Sequence, residues 1–398
     1  MINQMMKEKL LNIDKSKWKL TKLGTLAEDI SVRVDKPGNS EYDRFVGLDN
    51  FISGDIKIKS WASTKNLTSS AKAFKAGDIL FARRNAYLRR ASLVDFDGCC
   101  SGDAFVIREN VDKVVPGFLA FLMNTNSLWD YANSNAAGTM SKRVKWRDLA
   151  EYEFLLPPKA DQARLAELLW AMDEVIEKER VLLERLMINQ KAFEKGNLFI
   201  YKYGMEKKIP NSYKIFKLED VADITGGSTP SRDNKEFWGG NIPWLTPTDV
   251  TNHDRINLDK TKECITELGL KDISNRIYPP GTILYCSRAT IGFAIINDLP
   301  MTTNQGFSNF ITNEKINNYF LYFLLKHLTP DLTRLAGGST FLEIAKSAIR
   351  KFKIIVPPID IQIKIKNTLL NFESSRLSIV SKVNSSKALQ KSLINQIF

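Results

Sequence analysis

The chain of 398 residues repeats itself once, and that repeat limits the folds open to it. Leu155-Leu156-Pro157-Pro158 recurs as Ile355-Val356-Pro357-Pro358, 200 positions on. Gln162 falls on Gln362 and Gly138 on Gly338 at the same shift of 200. Upstream, Gly77-Asp78-Ile79-Leu80-Phe81 matches Gly281-Thr282-Ile283-Leu284-Tyr285 at a shift of 204. Phe118-Leu119 and Phe121-Leu122 match Phe320-Leu321 and Phe323-Leu324 at 202. Lys22-Leu23 and Leu26-Ala27 match Lys217-Leu218 and Val221-Ala222 at 195. A drifting shift is what loop insertions and deletions produce. An ordered series of matches along the whole chain marks two related halves.

Each half predicts the same parts. The Gly-x-Ile-Leu-aromatic run is a short apolar strand after a turn, and scattered Gly, Asn and Asp punctuate further strands. The expected head is mixed α/β (α+β). The di-proline ends it, because proline cannot continue a helix and pushes its predecessor to extended geometry. A period of 3.5 follows. Leu165, Leu169, Met172, Ile176, Glu179, Leu183, Leu186, Gln190 and Phe193 step alternately by four and three. Ile365, Leu369, Phe372, Arg376, Ile379, Val383, Ser386, Gln390 and Leu393 do the same. These are coiled-coil seams. If the helices pack antiparallel, the oppositely charged Glu179 and Arg376 are candidates to meet. A helix from Asp161 to Glu194 is roughly 50 Å long, enough to act as a spacer between two heads. The expected divisions are 1–156 and 201–356 for the heads and 157–200 and 357–398 for the helices.

Chemistry is harder to find. Only His253 and His327 occur, and neither has a second ligand at metal spacing. There is no G-x-S-x-G elbow and no Gly-Lys dipeptide for a phosphate loop. Asp95 and Asp97 sit in a turn-like Asp-Phe-Asp-Gly. Asn241-Ile242-Pro243-Trp244 loosely resembles the Asn-Pro-Pro-aromatic motif of amino-methyltransferases. Its second position is Ile, however, and no glycine-rich cofactor loop follows a strand. The other reading is a strand start with Trp244 in a local core. Cys99, Cys100, Cys264 and Cys286 form no C-x-x-C pair, which suits a reducing compartment. No apolar run approaches a membrane span, and Met1 to Lys15 lacks an apolar signal core. A soluble, cytoplasmic protein is expected.

The charge points elsewhere. There are 57 basic against 45 acidic residues, a formal net charge of +12, which suits a polyanionic partner. One stretch after the first-half strand concentrates Arg83, Arg84, Asn85, Tyr87, Arg89 and Arg90. Arginine bonds guanine bidentately, asparagine suits adenine, and either anchors phosphate. The matching stretch in the second half offers Ser287, Arg288 and Thr290. Before the di-proline, Gly138 to Lys145 adds Lys142, Arg143 and Lys145, and its counterpart offers Ser339 and Thr340. Small residues there let backbone N–H groups approach phosphate. A third candidate is Ser228, Thr229 and Arg232 in the second half. Each stretch can also be plain solvated loop.

Taken together, Gly226-Gly227-Ser228-Thr229-Pro230-Ser231, Trp238-Gly239-Gly240-Asn241-Ile242-Pro243-Trp244-Leu245, Gly281-Thr282-Ile283-Leu284, Asn304-Gln305-Gly306-Phe307, and Val356-Pro357-Pro358 with Gln362 resemble the specificity subunits of type I restriction-modification systems. Gly77-Asp78-Ile79-Leu80, Leu156-Pro157-Pro158 and Gln162 are first-half counterparts. The first half has Ser101-Gly102-Asp103-Ala104-Phe105 where the second has the glutamine pattern.

The resemblance implies two target-recognition domains in tandem repeat, separated by two long antiparallel coiled-coil helices with pseudo-twofold symmetry. It implies a non-catalytic chain that reads the two halves of a split double-stranded DNA target. The expected partners are two modification (adenine methyltransferase) subunits and the restriction (translocase and nuclease) subunits. S-adenosylmethionine, ATP and Mg would belong to those partners, with no cofactor or metal in this chain. Two other readings remain: a DNA methyltransferase with its own site, and a coiled-coil scaffold without DNA affinity.

Overall fold

The structure is a computed structural model that describes residues 13–201, 209–273, 275–337 and 342–398. The chain divides into two compact units, Met1–Leu183 with Ile379–Phe398, and Glu184–Ser378. The expected mixed α+β class holds for both.

In the first unit a four-stranded sheet runs in the order Ala27–Asp29, Ala104–Glu109, Ile79–Ala82, Ala91–Leu93. The Gly-x-Ile-Leu-aromatic run is the strand Ile79–Ala82, buried at all four residues. It pairs antiparallel with Ala104–Glu109 on one side and Ala91–Leu93 on the other. A second sheet of five short strands carries the remaining loops, from Val32–Val34 to Ala71–Phe74, Gly98–Cys100, Arg44–Val46 and Ala62–Ser63. In the second unit the matching strand Ile283–Cys286 is also wholly buried. It lies between Phe307–Thr312 and Ala294–Asn297, with the same antiparallel pairing. A separate three-stranded sheet is built on Trp238–Leu245.

Each head closes on its own ends. Lys19–Lys22 pairs with Glu153–Leu156 just before the first di-proline, and Lys214–Lys217 pairs with Lys353–Val356 before the second. Each di-proline then opens a 39-residue helix, Lys159–Asn197 and Ile359–Ile397. At ~1.5 Å per residue each is about 58 Å long. The carbonyl of Pro158 accepts from the N–H groups of Asp161 and Gln162, and that of Pro358 from Ile361 and Gln362. Proline thus stops the strand and starts the helix.

The shared glutamine explains why the repeat is kept there. Gln162 is 1% exposed; its side-chain oxygen accepts from Val115 N (2.9 Å) and its amide donates to Pro157 O (2.9 Å). Gln362, also 1% exposed, accepts from Asn317 N (2.8 Å) and donates to Pro357 O (2.9 Å) and Lys315 O (3.1 Å). Each pins a helix start to its own head. Gln162→Leu or Gln362→Leu leaves a buried backbone N–H and a carbonyl unpaired. Each is expected to cost about 1–3 kcal/mol in denaturant unfolding; a loss under about 0.5 kcal/mol would contradict the pinning role.

All eighteen seam positions are buried or half-buried. Within the first unit, Leu169 of the first long helix and Leu393, Ile394 and Ile397 of the second enter one core with Phe81, Phe105 and Trp129. Gln390 donates to the Leu169 carbonyl there (3.4 Å). Within the second unit, Ile365 and Leu369 complete the core around Ile283, Phe310 and Phe320. There Gln190 meets Glu373 (3.3 Å) and Phe193 packs near Phe372, so the two segments run antiparallel. Arg376 is taken up inside this unit by Glu373 (3.0 Å) and the Asp254 carbonyl (2.9 Å). Glu179 Oε2 is buried without a hydrogen bond among the described residues.

Candidate nucleic-acid interface

The two heads share a hydrogen-bond frame at the end of the buried central strand. In the first head, Arg83 N donates to Asp103 O (3.0 Å), Val144 N to Arg83 O (3.0 Å), and Asn85 N to Lys142 O (3.0 Å). Ala137 and Arg143 exchange a reciprocal pair of bonds (3.1 and 2.9 Å). In the second head, Ser287 N donates to Gly306 O (2.9 Å), Ile344 N to Ser287 O (2.9 Å), and Ala289 N to Leu342 O (3.0 Å). Gly337 and Glu343 exchange the same reciprocal pair (3.1 and 3.1 Å). So Arg83, Arg84, Asn85, Asp103 and Arg143 stand where Ser287, Arg288, Ala289, Gly306 and Glu343 stand. Asn85 (φ 55°) and Ala289 (φ 59°) are both left-handed at the matched position. Alanine there costs of order 1 kcal/mol, so both heads carry the same local backbone strain at this position.

Alternation along each segment decides which side chains leave the surface. Val144 and Ile344 are buried, so their neighbours Arg143 and Glu343 point outward, with side chains 42% and 48% exposed. Arg83 turns in toward the Phe105 ring, and Ser287 is buried against Gly306 O and Ser308. Arg84 and Arg288 point out, 43% and 41% exposed. Each frame therefore presents two outward residues, 84 with 143 and 288 with 343.

The first pair is held by Asp103. Arg143 bonds it through Nε (2.8 Å) and Nη2 (3.3 Å), and Arg84 reaches it through Nη1 (3.5 Å) while Nε bonds Ser141 Oγ (2.7 Å). The Arg143 hydrogen bond holds the Asp103 carboxyl below its usual range. The carboxylate is thus spent internally, and the free guanidinium edges offer donors only. Lys142, Lys145 and Tyr87, the last 68% exposed, flank the pair. In the second pair, Arg288 Nε stands 3.7 Å from Glu343 Oε2. Thr290 lies half-buried next to this pair.

The other candidate residues divide differently. Arg89 is bound to Asn126 (2.8 Å) and Asp130 (2.7 Å), and Arg90 to the Leu48 carbonyl (2.9 Å). Both brace the fold. Arg232 forms a bidentate pair with Glu263 (2.7 and 2.9 Å) and stacks 3.7 Å over Trp238. Ser228 N bonds Thr303 O (2.9 Å), and Thr229 bonds Gln305. The glycine run is thus a strap laid on the Asn304-Gln305-Gly306 turn. A Cβ at Gly227 would meet Thr303 O at 2.0 Å, which is why glycine is needed. Ser339 and Thr340 lie outside the described residues.

Asp103 and Glu343, the acidic members, escaped sequence reasoning that searched for cations. The Asp103 segment stood out only as a departure from the glutamine pattern. Asn241 to Trp244 lies within the strand Trp238–Leu245, with Trp244 2% exposed and its N–H on Ser228 O (3.0 Å). Among the described residues no group of three or more His, Cys, Asp or Glu is placed to hold a metal. No helix among them is long and apolar enough to cross a membrane.

The family described as type I restriction modification DNA specificity domain matches residues 210–386. The chain is 42% identical over 168 residues to the type I restriction enzyme MjaIX specificity subunit of Methanocaldococcus jannaschii; that match covers 42% of this chain and 39% of the relative. It is 23% identical to the HindI specificity subunit of Haemophilus influenzae, over 95% of this chain and 96% of that one. Among solved structures, the type I S subunit from M. genitalium superposes with a TM-score of 0.62 at 15% identity, covering 98% of each chain. A chain from a type I R-M system gives 0.61 at 22%, covering 96% of this chain and 97% of that one. At such identities the structural likeness establishes the fold.

Proposed function

We propose that the chain belongs to the family of type I restriction-modification specificity subunits and is the non-catalytic, DNA-reading subunit of such a complex, supported by the matches to that family over residues 210–386 and to its curated members. Each head reads one half of a split duplex target, and the long helices act as the ruler between the halves. The observation that carries this reading is the shared frame: one backbone arrangement, built twice, displaying different outward side chains. The recognition domains are residues 1–156 and 201–356, joined to helices within 157–200 and 357–398. Double-stranded DNA and the modification and restriction subunits are the partners. Two modification subunits suit a chain with two heads. The methyl donor, ATP and Mg act in those partners, and the complex works in the cytoplasm.

Contacts divide by chemistry. Arg84, Arg143 and Arg288 face base edges with Asn85 next to Arg84 in the chain, while Lys142, Lys145 and Tyr87 face the backbone. Phosphate contacts give salt-dependent, sequence-independent affinity; base contacts give discrimination. Fluorescence anisotropy of the complex on duplex DNA at several salt concentrations tests this. Lys142→Ala with Lys145→Ala is expected to weaken binding on all sequences and to flatten the salt slope by about 0.9 per lysine. An unchanged slope would remove both lysines from the interface. Absence of any salt-dependent binding by the wild-type complex would sink the DNA-reading role. Methyl transfer from labelled S-adenosylmethionine by this chain alone would favour an enzyme instead.

A further inference from the structure

We propose that the position occupied by Arg143 in the first head and Glu343 in the second is a specificity switch. Its charge sets whether that head requires a hydrogen-bond acceptor or a donor from the facing base. This inference rests on the DNA-reading function above and assigns a base class to each head.

Three observations meet at this position. The backbone of residue 143 is fixed by its reciprocal bonds to Ala137 and that of residue 343 by the same bonds to Gly337, so both side chains leave the frame in the same direction. Both are close to half exposed, whereas the next residues, Val144 and Ile344, are 0% and 1% exposed and anchor the segment. The surroundings differ in sign. In the first head, Asp103 is only 20% exposed and already occupied by Arg143 and Arg84. Nothing in that pair is left to accept a hydrogen bond. In the second head, Gly306 stands where Asp103 stands and brings no carboxylate. Glu343 has a single cationic neighbour among the described residues, Arg288, at 3.7 Å and without a hydrogen bond. Its carboxylate oxygens remain able to accept.

Base-pair chemistry then distinguishes the heads. In the major groove guanine offers two acceptors, N7 and O6, and paired arginine forks match them. A carboxylate is repelled by those acceptors and accepts instead from an exocyclic amino group, N4 of cytosine or N6 of adenine. Arg288 beside Glu343 offers a donor and an acceptor together. A G·C pair presents that complement on one edge, guanine acceptors next to the cytosine amino group. The first head should therefore demand guanine at the facing step, with no amino donor required. The second head should demand an amino-bearing base, with a G·C pair as the best match.

The test is target selection by the complete complex, with its modification subunits, on a library of degenerate duplexes. Methylated products are sequenced for wild type, Arg143→Glu, Glu343→Arg and Glu343→Gln. Arg143→Glu should shift base preference at one pair of one half-site, by roughly tenfold, and leave the other half unchanged. Glu343→Arg should do the same in the opposite half. Glu343→Gln keeps size and shape. Its amide removes the charge and adds a donor, so it should relax the preference for a G·C pair and move it toward adenine, whose N7 and N6 a glutamine amide matches, and it carries the test if a charge reversal unfolds its head. A folded Glu343→Gln complex that selects the wild-type motif with unchanged preference overturns the inference while leaving the DNA-reading role intact. A wild-type complex with no sequence preference overturns the role itself.

Discussion

Arg84→Ala combined with Arg143→Ala is expected to abolish selection of one half-site and leave the other intact. The two guanidiniums are the outward pair of the first frame, and Asp103 and Ser141 hold them in place before DNA arrives. Preorganised side chains lose less freedom on binding, so more of their interaction free energy appears as affinity. A bidentate arginine contact discriminates by ~1–3 kcal/mol, so losing two should cost on the order of 100-fold against the specific target. Binding to unrelated duplex should fall far less, because Lys142 and Lys145 remain. Competition binding with targets mutated in one half at a time measures this. Equal loss at both halves would contradict a model with one reader per head. Arg83→Ala provides the contrast: its side chain turns toward Phe105 and should affect stability more than selection.

Asp55→Ala is expected to destabilise the first unit by about 3 kcal/mol or more. Asp55 is 4% exposed and receives Arg180 through two nitrogens (2.8 and 2.9 Å) and Lys387 (2.9 Å). Lys59 lies 3.1 Å away and also pairs with Glu177. A loop of the head is thereby tied to the first long helix through Arg180 and to the second through Lys387. Removing one member of a buried ionic group leaves the others uncompensated, which is costlier than the pair is favourable. Burial pushes the Asp55 carboxyl up, but the bonds from Arg180 and Lys387 and the charge of Lys59 prevail and hold it at about 2. A folded-state value below the unfolded one stabilises above the unfolded pKa, near 3.8, and that contribution fades as pH falls toward 2. Its size is about 2 kcal/mol, and Asp55→Ala should remove this part of the acid sensitivity. Urea unfolding at pH 7 and near pH 3 reads both effects. A change under about 0.5 kcal/mol at pH 7 would show that the joint does not stabilise the unit.

The scaffold was legible in the sequence because it is repeated and periodic. The buried strand, the di-proline, the glutamine clamp and both seams recur with their spacing intact, and each has one physical cause that a linear pattern records. The interface was legible only as a region. Arg83 to Arg90 reads as one basic patch, yet Arg84 points out, Arg83 turns in, and Arg89 and Arg90 brace other segments. That division comes from left-handed residues at Asn85 and Arg89 and from isolated bridges between Arg84 and Arg143. Such bridges join distant segments and leave no periodicity. Arg232 has partners that the linear sequence does not show: Glu263 and Trp238 lie on neighbouring strands, so a basic residue in a glycine-rich run reads as free although it is paired. Asp103 and Glu343 are single acidic residues outside any periodic pattern, and only the matched hydrogen-bond frames give them meaning.

On the proposed function, two equivalent frames read two different half-sites at a fixed distance. Mapping methylated bases on random-sequence DNA after treatment with the complete complex tests it most directly. The expected result is a motif in two defined parts with an undefined gap of constant length, each part altered by substitutions in one frame only. A continuous motif, or a gap of variable length, would contradict it.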